Sequence, residues 1–383
     1  MSGGRHRLRL GMVGGGEGAF IGAVHRMAAR IDDQWELVAG AFQSNPAQSV
    51  RFGLNLGLAN ERCYGDFRTM AAQESARGDR IEAVAILTPN HLHHAAAKAF
   101  LDVGIPVICD KPLTTSSKDA LDLADAVKRS GLPFVLTHNY SGYPMIRQAR
   151  AMVEAGDLGK LRVVQVEYAQ DWLATDLGAN KQADWRSDPA RAGPGGALGD
   201  IATHAFHLAE FVTRQKANSI AADLSSFVPG RKLDDNANLL LRFESGAKGM
   251  LWASQVAPGA ANGLRLRIYG ERGGLEWFQE QPEELRFTPL GEPPRIHRRG
   301  GPGLSPSAQR ATRLPPGHPE GYLEGFAQIY ADAAELVCAH IDKRAADPLA
   351  TLAPGIEDGV RGVRFIEAAV ASHGKNGVWT PIA

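Results

Sequence analysis

Cysteine is scarce in this sequence, which carries three in a chain of 383 residues. Cys63, Cys109 and Cys338 lie far apart, their number is odd, and no two of them have the spacing of a metal-binding pair. This pattern excludes a disulfide framework and argues against a cysteine-based zinc site. We therefore expect a protein of a reducing compartment, the cytoplasm.

An excess of charge of either sign is also missing, as is a long apolar run. Lys+Arg and Asp+Glu both number 42, so no overall attraction favours nucleic acid or an anionic membrane. The apolar segment after the basic start is too short for a signal peptide, and no segment has the length needed to cross a bilayer. We expect no nucleic-acid partner and no membrane partner.

Glycine, by contrast, is concentrated in one stretch near the start, between Gly14 and Gly22. An apolar segment, 8–13, precedes it and predicts a strand, and 23–31 has the periodicity of a helix. A glycine-rich turn between a first strand and a first helix lets the backbone approach a pyrophosphate, whose charge the helix start favours. The third position of the usual dinucleotide pattern falls on Ala19, so a plain glycine-rich turn remains the alternative. The predicted cofactor contacts here are Gly14, Gly16, Glu17, Ala19, Phe20 and Ile21.

Strand and helix signals alternate through the first 138 residues. Strands are predicted at 8–13, 35–42, 81–87, 106–109 and 134–136, and helices at 23–31, 46–56, 91–103 and 116–130. This alternation predicts an α/β domain with a doubly wound parallel sheet, whose ligands bind at the carboxyl ends of the strands. The candidate cofactor-binding residues at those ends are Gln43, Ser44, Thr88, Pro89, Asn90, His93, Asp110, Lys111 and Asn139.

The end of the second predicted strand bears on the choice between NAD and NADP. An acidic residue there normally binds the ribose 2′-hydroxyl, but the sequence reads Gln43-Ser44-Asn45. Gln43 or Ser44 suits either a 2′-hydroxyl or a 2′-phosphate. NAD is favoured because the nearest cation, Arg51, lies down the next helix.

Residues 139–383 form a second predicted domain, for substrate binding and oligomerisation. A helix at 144–154 is followed by strands at 161–169, 219–227, 236–243, 247–253, 264–269 and 274–278, with closing helices at 321–340 and 355–372. This order predicts a large, mostly antiparallel open sheet. Because such a sheet often covers its open face with a second copy, a homo-oligomer is expected. Residues 289–316, rich in Pro, Gly and Arg, are predicted as a solvated loop or, alternatively, a mobile flap.

A carboxylate and two imidazoles are grouped in this second half. A glycine-rich segment leads into a predicted helix on which Asp200 and His204, four residues apart, share a face with His207. Such a pair suits proton transfer to and from a hydroxyl group. The alternatives are a helix cap with a core histidine, or a metal site. The metal reading is disfavoured because no further ligand cluster supports it, and none is predicted.

Lys111 is the other candidate catalytic group. It follows a predicted strand directly and stands between Asp110 and Pro112. A lysine exchanges protons when desolvation or a nearby positive charge lowers its pKa, and oxidised nicotinamide supplies such a charge. The alternative is an ordinary surface lysine.

Taken together, these motifs resemble the glucose–fructose oxidoreductase, inositol dehydrogenase and rhizopine-catabolism (Gfo/Idh/MocA) family over essentially the whole chain. The resemblance rests on the glycine stretch followed by His25, on Thr88-Pro89-Asn90 with His93 and His94, on Asp110-Lys111-Pro112, and on Gly195 to His204. Three features depart from the family pattern: Asp110 replaces the usual glutamate, His207 stands where many relatives carry aspartate, and the glycine loop is atypical.

The resemblance implies a Rossmann domain, then an α/β domain with an open sheet that mediates dimers or tetramers. It also implies reversible hydride transfer between a nicotinamide, of NAD or NADP, and a secondary alcohol of a sugar or cyclitol. Lys111, Asp200 and His204 match the family's catalytic residues. Related glycosidases that oxidise transiently with a held NAD, and non-catalytic regulators, are the alternatives. The candidate substrate residues are Tyr140, Trp185, Arg186, His207 and His318.

Overall fold

The computed structural model describes residues 6–176, 185–186 and 188–383. The chain forms two compact units. The first unit contains the chain up to Thr114, Lys118–Asn139 and Phe326–Val360, and the second contains Thr115–Ser117, Tyr140–Gly325 and Arg361–Ala383. The first unit thus takes in a segment from the last sixty residues, whereas the sequence prediction divides the chain once, between 138 and 139.

The first unit is built on a parallel sheet of five strands in the order β2-β1-β3-β4-β5. Strand β3 is buried at every residue, as expected for a strand covered on both faces. The order reverses next to β1, which places the loop after β1 at the topological switch point. The strands are β1 (Leu8–Gly14), β2 (Trp35–Ala41), β3 (Ala83–Leu87), β4 (Val107–Cys109) and β5 (Phe134–Leu136).

Helices connect these strands, and local capping explains where two of them begin. The side chain of Asn45 accepts the Gln48 N–H at the start of α2, and Asp66 accepts two N–H groups at the start of α3. Helix α3 was not predicted from the sequence. The helices are α1 (Phe20–Ile31), α2 (Pro46–Asn55), α3 (Phe67–Ser75), α4 (His93–Leu101) and α5 (Ser117–Ser130).

The second unit is built on a nine-stranded sheet in the order β13-β12-β11-β10-β6-β9-β8-β7-β14. Only the β6–β9 pair is parallel, so the prediction of a mostly antiparallel sheet is confirmed. The strands are β6 (Leu161–Ala169), β7 (Ala217–Ser225), β8 (Asn236–Phe243), β9 (Lys248–Ser254), β10 (Gly263–Gly270), β11 (Gly273–Phe278), β12 (Glu284–Pro289), β13 (Arg295–Arg298) and β14 (Thr380–Pro381).

Six helices complete the described part of the chain. They are α6 (Pro144–Glu154), α7 (Pro189–Ala192), α8 (Thr203–Thr213), α9 (Pro306–Arg310), α10 (Tyr322–Asp342) and α11 (Ile356–His373). A five-residue π-helix, Leu198–Ala202, runs directly into α8. In this part of the chain, no helix is both long enough and apolar enough to span a membrane.

The segment predicted as a solvated loop, 289–316, is more structured than expected. It contains β13 and α9, and it is anchored by Arg299, which is almost fully buried. The Arg299 guanidinium donates to the carboxylates of Glu283 and Glu320 at 2.6 and 3.0 Å. The loop prediction was wrong because composition alone does not show that one arginine of the segment is buried and forms ion pairs with Glu283 and Glu320.

Candidate active site

The glycine stretch forms the turn between β1 and α1. Gly14 has a φ of 82°, in the left-handed region, and a methyl group built on it lies 2.7 Å from the main-chain oxygen of Leu87. No side chain caps the N-terminus of α1, which begins after Ala19. The turn therefore presents a close backbone approach and an uncapped helix start, the arrangement that suits a pyrophosphate.

Gly22, which the predicted pattern left unexplained, makes the tight contact between helix and strand. A methyl group built on it lies 2.1 Å from the Gly15 oxygen. Close helix–strand packing is the function of the third glycine in a dinucleotide-binding turn. In this chain that function falls on Gly22, and the turn before it is correspondingly longer than usual.

Two buried polar atoms at the strand ends have no hydrogen-bond partner among the described residues. They are Oγ1 of Thr88, just after β3, and Nδ2 of Asn139, just after β5. Buried polar groups are normally satisfied, so these two atoms are available to hydrogen-bond a group that enters this edge. Together with the glycine turn, they show that the edge predicted for a dinucleotide has the polar groups to hold one.

Lys111 follows β4 at the same edge of the sheet and is half-buried. The Oδ1 atom of Asp110 accepts the Lys111 N–H at 2.9 Å and the Thr137 hydroxyl at 2.8 Å. His93, predicted to contact the cofactor, instead directs both ring nitrogens at main-chain oxygens, those of Pro112 and Thr88, each 2.8 Å away.

At the end of β2, Gln43 lies against the glycine turn. A methyl group built on Gly16 lies 2.6 Å from the Gln43 Cγ atom, while Ser44 is exposed and Asn45 caps α2. The nearest guanidinium to the turn belongs to Arg26, whose Nη1 donates to the Gly15 oxygen at 3.0 Å. Burial lowers the pKa of Arg26 from its ordinary value, and Arg30 acts in the same direction.

In the second unit, Asp200 lies in the π-helix that precedes α8. The predicted face of Asp200, His204 and His207 assumed α-helical spacing throughout, and the π turn changes that geometry. The Oδ2 atom of Asp200 accepts two hydrogen bonds, from Gln255 Nε2 at 2.9 Å and Arg186 Nε at 3.2 Å. These two donors orient the carboxylate.

Asp234 fixes the start of this turn. Its two carboxylate oxygens accept the N–H groups of Gly196 and Leu198, both at 2.7 Å. Burial raises the pKa of Asp234 to about 6, although both N–H bonds favour its charged form. A methyl group on Gly196 would lie 2.0 Å from the main-chain oxygen of Asp234, so only glycine allows the two segments to approach this closely.

His204 is buried among aromatic rings. The Tyr140 ring meets it edge to face, with centroids 5.0 Å apart, and the Tyr168 ring lies 6.4 Å away. Burial raises the pKa of both tyrosines, so both hydroxyls keep their protons, and their oxygens are 2.5 Å apart. Tyr168 then donates to Asn262 at 2.8 Å. The structure thus brings Tyr140 and His204 together, as predicted for a common pocket.

Arg186 is held by two tryptophans as well as by Asp200. Its guanidinium carbon lies 4.3 Å from the Trp185 ring centroid and 5.8 Å from that of Trp172. Asp184, which directly precedes Trp185 and Arg186 in the sequence, lies outside the described residues.

The other two predicted substrate residues have different surroundings. His207 is buried on α8 and stacks on Phe211, with ring centroids 5.7 Å apart. The side chain of His318 is exposed, and its main-chain oxygen accepts a hydrogen bond from Arg299.

Sequence reasoning missed several polar residues of this site. Gln255, Asn262 and Tyr168 lie on or beside strands, where nothing in the local pattern separates them from ordinary sheet residues. Asp234 was also missed. Its only signal in the sequence is that two consecutive aspartates, Asp234 and Asp235, directly precede β8. Among the described residues, no group of three His, Cys, Asp or Glu side chains has the arrangement of a metal site.

Comparison with known proteins identifies the family of this chain. Residues 8–149 match an oxidoreductase family with an NAD-binding Rossmann fold, and residues 146–276 match the Gfo/Idh/MocA C-terminal domain. A crystal structure of an oxidoreductase from Sinorhizobium meliloti has 54% sequence identity and a TM-score of 0.89, over 98% of this chain and 99% of that one.

Two further relatives are described with a ligand or named for a substrate. An inositol dehydrogenase homologue from Azotobacter vinelandii, solved with NADH and myo-inositol, has 36% identity and a TM-score of 0.91 over 98% of each chain. Levoglucosan dehydrogenase of Pseudarthrobacter phenanthrenivorans is 27% identical over 98% of each chain. The chain is therefore an oxidoreductase of the dehydrogenase and reductase type, with an NAD-binding Rossmann domain, and belongs to the Gfo/Idh/MocA family.

Proposed function

We propose that the chain transfers a hydride between the nicotinamide of NAD and a secondary alcohol of a sugar, sugar derivative or cyclitol. The observation that carries this proposal is the π-helix and the start of α8 in the second unit, which carry Asp200 and His204. They present a carboxylate oriented by two donors and a buried imidazole packed against Tyr140. A carboxylate and an imidazole four residues apart suit the movement of a proton from a hydroxyl group.

The first unit supplies the dinucleotide site in this proposal. The turn from Gly14 to Ile21 binds the pyrophosphate through main-chain N–H groups. Asn139 Nδ2 donates to the rest of the dinucleotide, and the Thr88 hydroxyl donates to it or accepts from it. When bound, the nicotinamide ring supplies the hydride acceptor or donor.

NAD rather than NADP is the proposed dinucleotide. The residues at the end of β2 are amide and hydroxyl groups, and Arg26, the nearby guanidinium, is already bonded to the Gly15 oxygen. A 2′-phosphate would meet uncharged side chains at Gln43, Ser44 and Asn45, whereas a 2′-hydroxyl needs only a polar partner.

The substrate is proposed to be an uncharged polyol. In the second unit, the charges of Asp200 and Arg186 pair with each other. The other polar side chains there are amides and phenols, such as Gln255, Asn262 and Tyr168. Such groups recognise hydroxyls by hydrogen bonds and offer no unpaired charge to a carboxylate or amine. Myo-inositol, which is bound in one relative, and levoglucosan, for which another relative is named, are uncharged compounds of this class.

In the proposed reaction, His204 takes the proton of the reacting hydroxyl, and Lys111 hydrogen-bonds the same oxygen and stabilises the charge that develops there. Asp200 orients the substrate through a neighbouring hydroxyl. Tyr140, Trp185 and Arg186 line the substrate pocket, with His207 and His318 as further candidates. Lys111 and His204 are interchangeable as base on these grounds.

A substrate screen tests the function. Purified protein is offered cyclitols, aldoses, anhydrosugars and glycosides, each with NAD and with NADP, and NADH or NADPH is followed by absorbance. Turnover with a free polyol and NAD is expected. Release of a sugar from a glycoside without net NADH would indicate a glycosidase instead. Dinucleotide binding without turnover on any polyol would indicate a regulator and would overturn the proposal.

A further inference from the structure

His93 is a buried histidine whose ring is committed to the chain itself. It is the first residue of α4, and 1% of its surface is exposed. Its Nδ1 atom lies 2.8 Å from the Pro112 oxygen, and its Nε2 atom lies 2.8 Å from the Thr88 oxygen. A carbonyl oxygen only accepts, so each bond needs a ring N–H; the protonated ring has two and the neutral ring has one.

These two carbonyls belong to the loops that follow neighbouring strands. Thr88 comes directly after β3, and Pro112 is the residue after Lys111, beyond the end of β4. The imidazole therefore bridges the two loops where the parallel strands end. The protonated ring donates both bonds, and the neutral ring donates one and still packs between the loops. Burial lowers the pKa of His93, and the carboxylate of Asp110 opposes that shift.

On the other side of Lys111, Asp110 connects the main chain to the loop after β5. Asp110 Oδ1 accepts the Thr137 hydroxyl at 2.8 Å, and Thr137 follows β5. The same oxygen accepts the Lys111 N–H at 2.9 Å. The main chain at Lys111 is thus attached to the β5 side through residue 110 and to the β3 side through residue 112.

We propose that His93 is a positioning residue, which with Asp110 and Thr137 fixes the main chain on both sides of Lys111 and so aims its ammonium group. This inference rests on the proposed function for the role of Lys111, but the bridge itself does not. It also reassigns His93, whose ring nitrogens serve the chain's own carbonyls rather than a cofactor. A displacement of about 1 Å at a reacting group can lower the rate by about 10²-fold, so contacts that fix the main chain at Lys111 can affect kcat.

The test compares His93→Ala and His93→Gln with His94→Gln. Glutamine keeps most of the volume but carries its N–H donors on a single nitrogen, so we expect it to reach one of the two carbonyls. His94 is the neighbouring residue on the same helix and pairs with Asp122 at 2.8 Å, which makes it the matched control. Melting temperature, the Kd for NADH, kcat and KM are measured for each variant, with hydrogen–deuterium exchange of the peptides spanning residues 87–92 and 109–116.

Loss of the bridge is expected to speed exchange in both peptides and to lower kcat by about ten- to a hundredfold in His93→Ala. The Kd for NADH should rise much less than kcat falls, because the pyrophosphate turn is untouched and only the contact of Thr88 with the dinucleotide is loosened. His93→Gln should fall between His93→Ala and the unaltered protein, and His94→Gln should match the latter.

Two results would overturn the assignment. One is unchanged exchange and kcat in His93→Ala. The other is an equal loss of kcat and NADH affinity in both variants with a lowered melting temperature, which would mean a merely structural role. If the unaltered protein turns over no polyol, the proposed function fails, and the exchange experiment still decides whether His93 joins the two loops.

Discussion

Lys111 is the side chain that the proposed chemistry depends on most directly. It is half-buried, and its main chain is held by Asp110 on one side. Replacing it with alanine removes a group proposed to act at the reacting oxygen and leaves the glycine turn intact. We expect kcat to fall by about 10²-fold or more while the Kd for NADH changes by less than about threefold. Steady-state kinetics and a fluorescence titration with NADH measure the two quantities.

The exposed Lys118, at the start of α5, provides the control for that experiment. A Lys118→Ala variant removes the same charge and side chain away from the strand ends and should retain normal kinetics. Near-normal turnover of the Lys111→Ala variant would contradict the catalytic role.

His25 makes folding stability depend on pH. It is fully buried beside Tyr330, with Nδ1 2.7 Å from the tyrosine hydroxyl, and burial lowers its pKa to about 4. The unfolded chain, with the ordinary histidine pKa of 6.5, therefore binds more protons than the folded chain between these values. The contribution of His25 to stability is present above pH 6.5 and is lost as the pH falls towards 4, by up to about 3 kcal/mol.

Urea unfolding at a series of pH values measures this effect. The free energy of unfolding of the unaltered protein should fall as the pH is lowered from 6.5 to 4. A His25→Gln variant should show a shallower fall, whatever its stability at neutral pH, and a variant of the exposed His91 should keep the original slope. Identical slopes in all three proteins would rule out His25 as the source.

At the level of the element, the contact between α1 and β1 depends on Gly22. A methyl group there lies 2.1 Å from the Gly15 oxygen, which is backbone and cannot turn aside. A Gly22→Ala variant must shift α1 away from the turn, at a cost of about 1–3 kcal/mol. Because the same helix start is proposed to bind the pyrophosphate, the affinity for NADH should fall by tenfold or so in the same variant.

A Gly→Ala substitution at Gly78, where the added methyl group has no neighbour, is the matched control. Gly78 is exposed, and a methyl group built on it meets nothing within 4 Å. The Gly78→Ala variant should keep the stability and the NADH affinity of the unaltered protein. A Gly22→Ala variant that also keeps both would show that the helix contact tolerates a side chain.

These elements also show what the sequence could and could not predict. Strand β3 and Lys111 after β4 are local features, because an apolar run is followed directly by the polar residues of the turn that ends it. The π turn at Asp200 is not local, since two N–H groups of its entry are held by Asp234, from a segment more than thirty residues away. Strand β13 was missed for the same reason, because it pairs with β12 in a segment whose composition is that of a loop.

At the scale of the whole molecule, one face of the nine-stranded sheet is only partly polar. Along β8 and β9, buried and exposed residues alternate, and the exposed positions include Leu240, Met250 and Trp252. A groove of about 450 Å³ runs over this face. Beside it, Arg267 pairs with Glu167 at 3.2 Å, so the face combines apolar side chains with charges of both signs.

We propose that a second copy of the chain covers this face, because a surface with apolar side chains and charges of both signs can complement itself about a twofold axis. A Met250→Glu, Leu240→Glu double variant places two carboxylates on the apolar part and should turn a dimer or tetramer into smaller species in analytical ultracentrifugation. Leu121→Glu, at a leucine of similar exposure on α5 of the first unit, should leave the assembly unchanged. A monomeric unaltered protein, or a double variant that assembles normally, would exclude this face as the interface.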